Sequence, residues 1–229
     1  MKLHHFLCLF AAFIPLFSCA GRVSGSLSAD GSAKLAINMS LEPQMSSLIG
    51  RLSSAAGQTN GLKIDGPAIA RSMSSAPGIA SVSLRNTASA AVEGSIQISN
   101  LNEFLAKGGK EFITFEQKRC EIYICRDNGP DLLELLSPEI SDYLNALMAP
   151  IASGEYMRKS DYLDLVTSIY NKAISNEIAS SKIHVSIDFP GQITEVKGGT
   201  FSRRRAEFNI SLLDLLVLDN PLIYEVRWR

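Results

Sequence analysis

Apolar and polar positions alternate with a period of two at both ends of this chain, and with a period near 3.6 through much of its middle. Val23, Leu27 and Ala29 alternate with Ser24, Ser26 and Ser28. After Asp30-Gly31 the pattern resumes, with Ala33, Leu35, Ile37, Met39 and Leu41 opposite Lys34, Asn38 and Ser40. Two alternating runs around Asp-Gly predict a β-hairpin with a type I′ turn, because glycine accepts positive φ. Glu42-Pro43 ends the second strand, and Met45, Leu48, Ile49 and Leu52 give the stripe of a short helix. Ser53 to Gly61 reads as a loop, and Pro67 to Met73 as another short helix. Pro77-Gly78 opens a second β block, in which Ala80, Val82 and Leu84 share a face and Val92 to Ser99 supplies the antiparallel partner. Asn100 is placed to cap a brief helix through Phe104-Leu105, which Gly108-Gly109 ends. Phe112 to Gln117 and Cys120 to Arg126 are two further extended runs.

At Asn128-Gly129-Pro130 the period changes. Leu132, Leu133, Leu135 and Leu136 form an apolar stripe, and Ser137-Pro138-Glu139 starts another with Ile140, Tyr143, Leu144 and Leu147. Ser160 is expected to cap the longest helix, whose broad face carries Leu163, Val166, Ile169, Tyr170, Ala173, Ile174 and Ile178. Period two then returns. Ile183, Val185, Ile187 and Phe189 form one face, Ala206, Phe208, Ile210 and Leu212 a second, and Leu222, Tyr224, Val226 and Trp228 a third. Strands with one apolar and one polar face belong to an antiparallel sheet, here of about seven to nine strands, and the helical segment at roughly 130–181 supplies a layer for its apolar face. The fold class expected is α+β.

The first residues are of another kind. Lys2 precedes an apolar stretch from Phe6 to Phe17, and Leu16-Phe17-Ser18-Cys19 follows the order of a lipoprotein secretory signal. Removal of residues 1–18 and acylation of Cys19 would anchor a single domain, 19–229, to a bacterial membrane in the cell envelope. Each buried CH₂ of the acyl chains contributes about 0.8 kcal/mol. The alternatives are an uncleaved membrane helix and ordinary cleavage with Cys19 as a bystander. Met1 to Ala20 is barely long enough to span and contains Lys2, His4, His5 and Pro15. The best later span, Leu212 to Val226, is broken by Asp214, Asp219, Asn220 and Pro221.

With 46% hydrophobic and 20% charged residues the composition is globular. A net charge of −1 gives no general attraction to nucleic acid, so none is expected as a partner. Once Cys8 leaves with the signal and Cys19 carries lipid, Cys120 and Cys125 remain. Glu121-Ile122-Tyr123-Ile124 between them holds no turn former. Residues five apart on a strand face opposite ways and lie about 16 Å apart, beyond disulfide reach. Two thiols or one intermolecular pair are the readings left. His184 is the sole histidine after residue 18, so no metal site and no cofactor is expected. It falls on the polar side of its strand, as a solvated histidine would. Arg203-Arg204-Arg205 lies near a hairpin tip, either as a solvated turn or as a contact for phospholipid headgroups. Asp214 and Asp219 flank an apolar run and are free to pair with arginines. No phosphate-cradling glycine loop, zinc spacing or Ser-His-Asp signature is present, and no catalytic residue is assigned.

The Ser24-Gly25-Ser26 to Leu41 hairpin just past Cys19 resembles the opening of LppM-like bacterial lipoproteins. Phe189-Pro190-Gly191-Gln192-Ile193-Thr194, Gly198-Gly199 and the Ala206 to Leu212 strand are similar to that family's closing strands. The resemblance covers the two ends of the chain after Cys19. It implies a lipid-binding-like α+β fold with a curved sheet around an apolar cavity. The chain departs from the family in lacking a C-terminal transmembrane helix, and the middle helices lie outside the match. The inward residues Leu35, Ile37, Phe208 and Ile210 are the expected ligand-binding positions. The leading expectation is a non-enzymatic binding module for a lipid or other apolar ligand. The alternatives are a structural lipoprotein that holds an envelope protein and, behind it, an enzyme with an unrecognised site.

Overall fold

In the computed structural model, which describes residues 19–55, 64–104, 112–129, 144–145 and 147–229, the alternating runs become strands. In chain order the elements are β1 (Cys19–Leu27), β2 (Ala33–Leu41), α1 (Pro43–Ala55), α2 (Gly66–Ser74), β3 (Ile79–Ala88), β4 (Ala91–Ile98), α3 (Leu101–Phe104), β5 (Ile113–Glu116) and β6 (Arg119–Ile124). There follow α4 (Pro150–Ser153), α5 (Lys159–Ile169), α6 (Lys172–Ser180), β7 (Lys182–Asp188), β8 (Ile193–Lys197), β9 (Thr200–Ser202), β10 (Arg205–Ser211), α7 (Leu212–Val217) and β11 (Leu222–Trp228). The α+β class expected from the pattern holds. The signal at residues 1–18 lies outside the described residues, as do Gly108-Gly109 and the leucine stripe from Leu132 to Tyr143.

The strands divide between two sheets, where the alternation alone predicts one. Seven strands form the larger, in the order β3-β4-β2-β1-β7-β10-β9, and four the smaller, in the order β5-β6-β11-β8. All neighbours are antiparallel except β1 and β7, which run parallel with Val23 opposite Val185. The chain changes sheet between β8 and β9 at Gly198-Gly199. A side chain on Gly198 would strike the Ile223 carbonyl of β11, and one on Gly199 the Glu207 carbonyl of β10, so glycine alone passes between the two sheets here. From β10 to β11 the chain changes sheet again, through α7.

Local chemistry departs from the expected pattern in four places. The β1–β2 loop is not type I′: Ser28 N–H bonds Ser32 O at 2.8 Å and Gly31 N–H bonds Ser28 O at 3.1 Å, with Gly31 at φ 82° and Asp30 outside the left-handed region. That is a three-residue loop ending in a left-handed glycine. The Asp30 carboxylate fixes it by accepting from the Ser32 N–H and hydroxyl, which hold its pKa below the usual range. Ser53 to Ala55 extend α1 instead of opening a loop. The long helix expected after Ser160 is two helices, α5 and α6. α5 is preceded by an extended Arg158, and Asn171 restarts the chain by accepting from the Ile174 N–H at 3.0 Å. Finally, Leu212 leaves its strand. Ser211 caps α7, and Leu212, Leu213, Leu215, Leu216 and Val217 are all buried, as an apolar short helix must be.

α6 packs against both α1 and α7, while α4 and α5 also touch α7. Glu177 of α6 joins distant parts of the chain by receiving the N–H groups of Gln44 and Met45 at 2.8 and 2.9 Å. These are unpaired donors of the first turn of α1. Met45, Ile49, Val166, Ile174, Ile178 and Leu216 sit in one continuous core with the inward residues of both sheets.

Candidate functional site

Between the inner faces of the two sheets lies a partly open cavity of about 160 Å³. The larger sheet contributes Leu27, Ala33 and Leu35 from the first hairpin, Ile98 from β4, Ile183, Val185 and Ile187 from β7, and Phe208 and Ile210 from β10. The smaller sheet contributes Ile113, Cys120, Ile122, Ile124, Tyr224 and Val226. Leu101 and Phe104 of α3, Leu215 of α7, and Ser26 and Phe189 complete the wall. Period-two alternation is what aims these side chains inward on both sheets. Val185, Ile187, Ile210, Ile113 and Ile122 are half-buried, although their neighbours Val23, Ile183 and Ala206 are fully buried.

Aromatic contacts tie the walls together. Phe208 and Tyr224, one from each sheet, meet edge to face at 5.4 Å, and Trp228 lies 5.2 Å from Phe189 and 6.2 Å from Phe115. No Asp, Glu, Lys, Arg or His lines the cavity among the described residues. Its two weakly acidic groups stay protonated. Burial, and secondarily Glu121, pushes the Cys120 thiol up to about 12. Burial, and secondarily Asp214, pushes the Tyr224 phenol up to about 12. Such a surface accepts apolar groups and offers a phenol, a thiol and the Ser26 hydroxyl for polar contact.

Three of the four expected ligand-binding residues, Leu35, Phe208 and Ile210, line this cavity. Ile37 does not. It shares the inward face of β2 with Leu35 but lies two positions further along, 4% exposed within the packed core. Alternation identifies the face of a strand and not the depth at which a void opens. The sequence pattern marks the wall residues from α3, β5, β6 and β11 only as strand or helix positions, and nothing local joins them to the hairpin residues.

The outer face of the larger sheet holds a second concavity of about 380 Å³, lined by polar residues such as Arg22, Ser24, Asn38, Ser83 and Ser95, with an Arg85–Glu93 ion pair at its edge. His184 stands on the same outer face and bonds Asn209 at 3.0 Å. Asp214, free by sequence to pair with an arginine, pairs with Lys159 at 2.7 Å. Cys120 and Cys125 are free thiols, and Glu121 to Ile124 lie within β6. Among the described residues no group of three His, Cys, Asp or Glu is placed to hold a metal ion, and no helix is long and apolar enough to cross a membrane.

No protein-family model matches the chain, and no curated protein matches it. One solved structure is similar over most of its length. This is the NMR structure of the folded domain of the Mycobacterium tuberculosis LppM protein, matching 94% of this chain and 92% of that one at 10% identity and a TM-score of 0.41. At that identity and score it carries no residue role across to this chain.

Proposed function

We propose that this chain is a membrane-anchored envelope lipoprotein that holds a lipid or other apolar group in the cavity between its two sheets. Cys19 is its point of attachment. The reading rests on one observation, an apolar cavity of about 160 Å³ with no Asp, Glu, Lys, Arg or His among its described lining residues. A void of about 150 Å³ lined by Leu, Ile and Phe is known to stay dry and accept benzene. This one therefore suits a ring or a short run of acyl chain, and a whole acyl chain would extend beyond it. With no Asp, Glu, Lys, Arg or His among its described lining residues, and with the Cys120 thiol and Tyr224 phenol held protonated, this wall favours binding over proton transfer or attack on a bond.

The test is ligand-linked melting of the delipidated chain. Benzene and octanol should raise its melting temperature in a concentration-dependent way. At a hundredfold excess over Kd the gain is about 2.7 kcal/mol. Glycerol, of similar bulk but polar, should not. Mass spectrometry of the chain as isolated then identifies what it carries. A melting curve indifferent to every apolar additive would return the chain to the structural-lipoprotein reading.

A further inference from the structure

The β9–β10 hairpin lies outside the account of the cavity. Its turn is Arg203-Arg204, with Arg203 at φ 55°. Arg205 is engaged, holding both carboxylate oxygens of Asp188 at 2.9 and 2.8 Å. Arg204 donates its Nε–H to the Phe189 carbonyl at 2.8 Å and has no ion pair among the described residues. Arg203 is exposed and has no carboxylate partner among the described residues. Glu195 of β8 faces Arg227 instead. Next to these cations Phe201 is 46% exposed, one of the few large apolar side chains turned to solvent.

Strand register places this hairpin within the domain. β1 begins at Cys19, opposite Leu41, and its far end pairs Ser26 with Asp188, which in turn pairs with Arg205. Seven strand residues separate the two levels, about 23 Å. The hairpin thus stands at the end of the larger sheet opposite to Cys19. It also borders the cavity, since Phe189 lines that wall and accepts the bond from Arg204.

We infer that the Phe201–Arg204 hairpin is a contact for an anionic lipid surface, on the end of the domain facing away from Cys19. Guanidinium forks match phosphate oxygens, basic residues gain free energy at an anionic leaflet, and an aromatic ring settles at the boundary between headgroups and acyl chains. A soluble polyanion would use the arginines and leave Phe201 in water. The inference extends the ligand reading by placing a lipid source beside the cavity, and it stands without it.

The full chain is floated with vesicles of phosphatidylcholine alone and with vesicles containing phosphatidylglycerol. The N-terminal segment contributes equally to every variant, so the informative quantity is the ratio of anionic to neutral partition. Arg203→Asn, which tolerates the left-handed turn, combined with Arg204→Gln should lower that ratio about tenfold or more. Phe201→Ser should lower binding to the anionic vesicles several-fold, and high salt should abolish the arginine effect. An unchanged ratio in a double variant of unchanged melting temperature overturns the proposal, as does an anionic preference insensitive to salt. Arg203→Asn alone, which leaves the Arg204–Phe189 bond in place, provides the same reading if the double variant unfolds. Chain seated in neutral vesicles should also gather anionic vesicles into clusters, and failure to do so overturns the opposed geometry. Benzene-dependent melting should persist in the hairpin variants. Its loss in wild type with the anionic preference intact would count against the cavity reading alone.

Discussion

Replacing Val185 by phenylalanine introduces a ring into the cavity from the middle of the larger sheet, where Val185 is half-buried between β1 and β10. The substitution adds roughly 50 Å³ of side chain, and each Å³ of void removed recovers about 24 cal/mol. Against a cavity of about 160 Å³ the gain is about 1.2 kcal/mol, or about 2–5 °C in melting temperature for a domain of this size. The same ring occupies the space a ligand needs, so benzene-dependent stabilisation should vanish. Ile37→Phe makes the contrast. Ile37 is on the inward face of β2 but outside the cavity wall, and overpacking at such a site costs about 1–3 kcal/mol. Calorimetry or urea unfolding of the delipidated variants, with and without benzene, gives both quantities. Opposite signs for the two substitutions are expected. If Val185→Phe destabilises the chain as Ile37→Phe does, or stabilises it while leaving the benzene shift intact, the cavity is not the binding volume.

Cys19→Ala should abolish acyl labelling and move the protein from the membrane to the soluble fraction; labelling retained in that variant would refute the anchor. Under alkylation at about pH 8 without reductant, Cys125 should react first and Cys120 much more slowly, because desolvation pushes its thiol up to about 12; peptide mass mapping that finds equal rates would remove Cys120 from the cavity wall. Glu225 is held below its ordinary pKa chiefly by the Arg119 N–H, with Arg227 assisting and partial burial opposing. Its contribution is therefore complete above the unfolded-chain value near about 4.3 and is lost as pH falls through the lower folded value. Glu225→Gln should destabilise by no more than about 1 kcal/mol at neutral pH, and urea titrations should show the gap closing below about pH 4. A gap independent of pH would show that packing, not charge, is responsible.

Much of this fold is local and was therefore legible. The β1–β2 pair, the β3–β4 pair and the strands around Val185, Phe208 and Val226 all follow from alternation, and Asn100, sited before α3, receives the Glu103 N–H as expected. What escaped is what depends on distant partners. Parallel pairing of β1 with β7 joins residues far apart in the chain, and no local pattern reports it. The division into two sheets hangs on Gly198-Gly199, where the requirement for glycine comes from carbonyls of β10 and β11. Leu212 to Val217 continue an apolar run that reads equally well as the end of a strand. Ser211 decides for helix, since its hydroxyl accepts from the Asp214 N–H at 3.3 Å and starts a turn.

The same limit applies to the site and bears on its meaning. Leu35 and Ile37 have the same residue class, strand and face, yet one borders the void and the other does not. Leu35 shares the cavity wall with Cys120, Ile122 and Ile124 of β6 and Tyr224 and Val226 of β11, partners distant in the chain that no local pattern reports. Were it closed and empty, a void of about 160 Å³ would cost about 4 kcal/mol relative to a filled core, a large part of the roughly 5–15 kcal/mol that stabilises a domain. A single larger residue at Val185, Ile187 or Ile210 would recover part of that cost, and such changes are readily reached. A sequence shaped for stability alone has no reason to leave three β-branched residues half-buried around an unfilled space. One whose cavity is occupied does, because a ligand supplies the missing contacts and offsets the cost whenever it is bound.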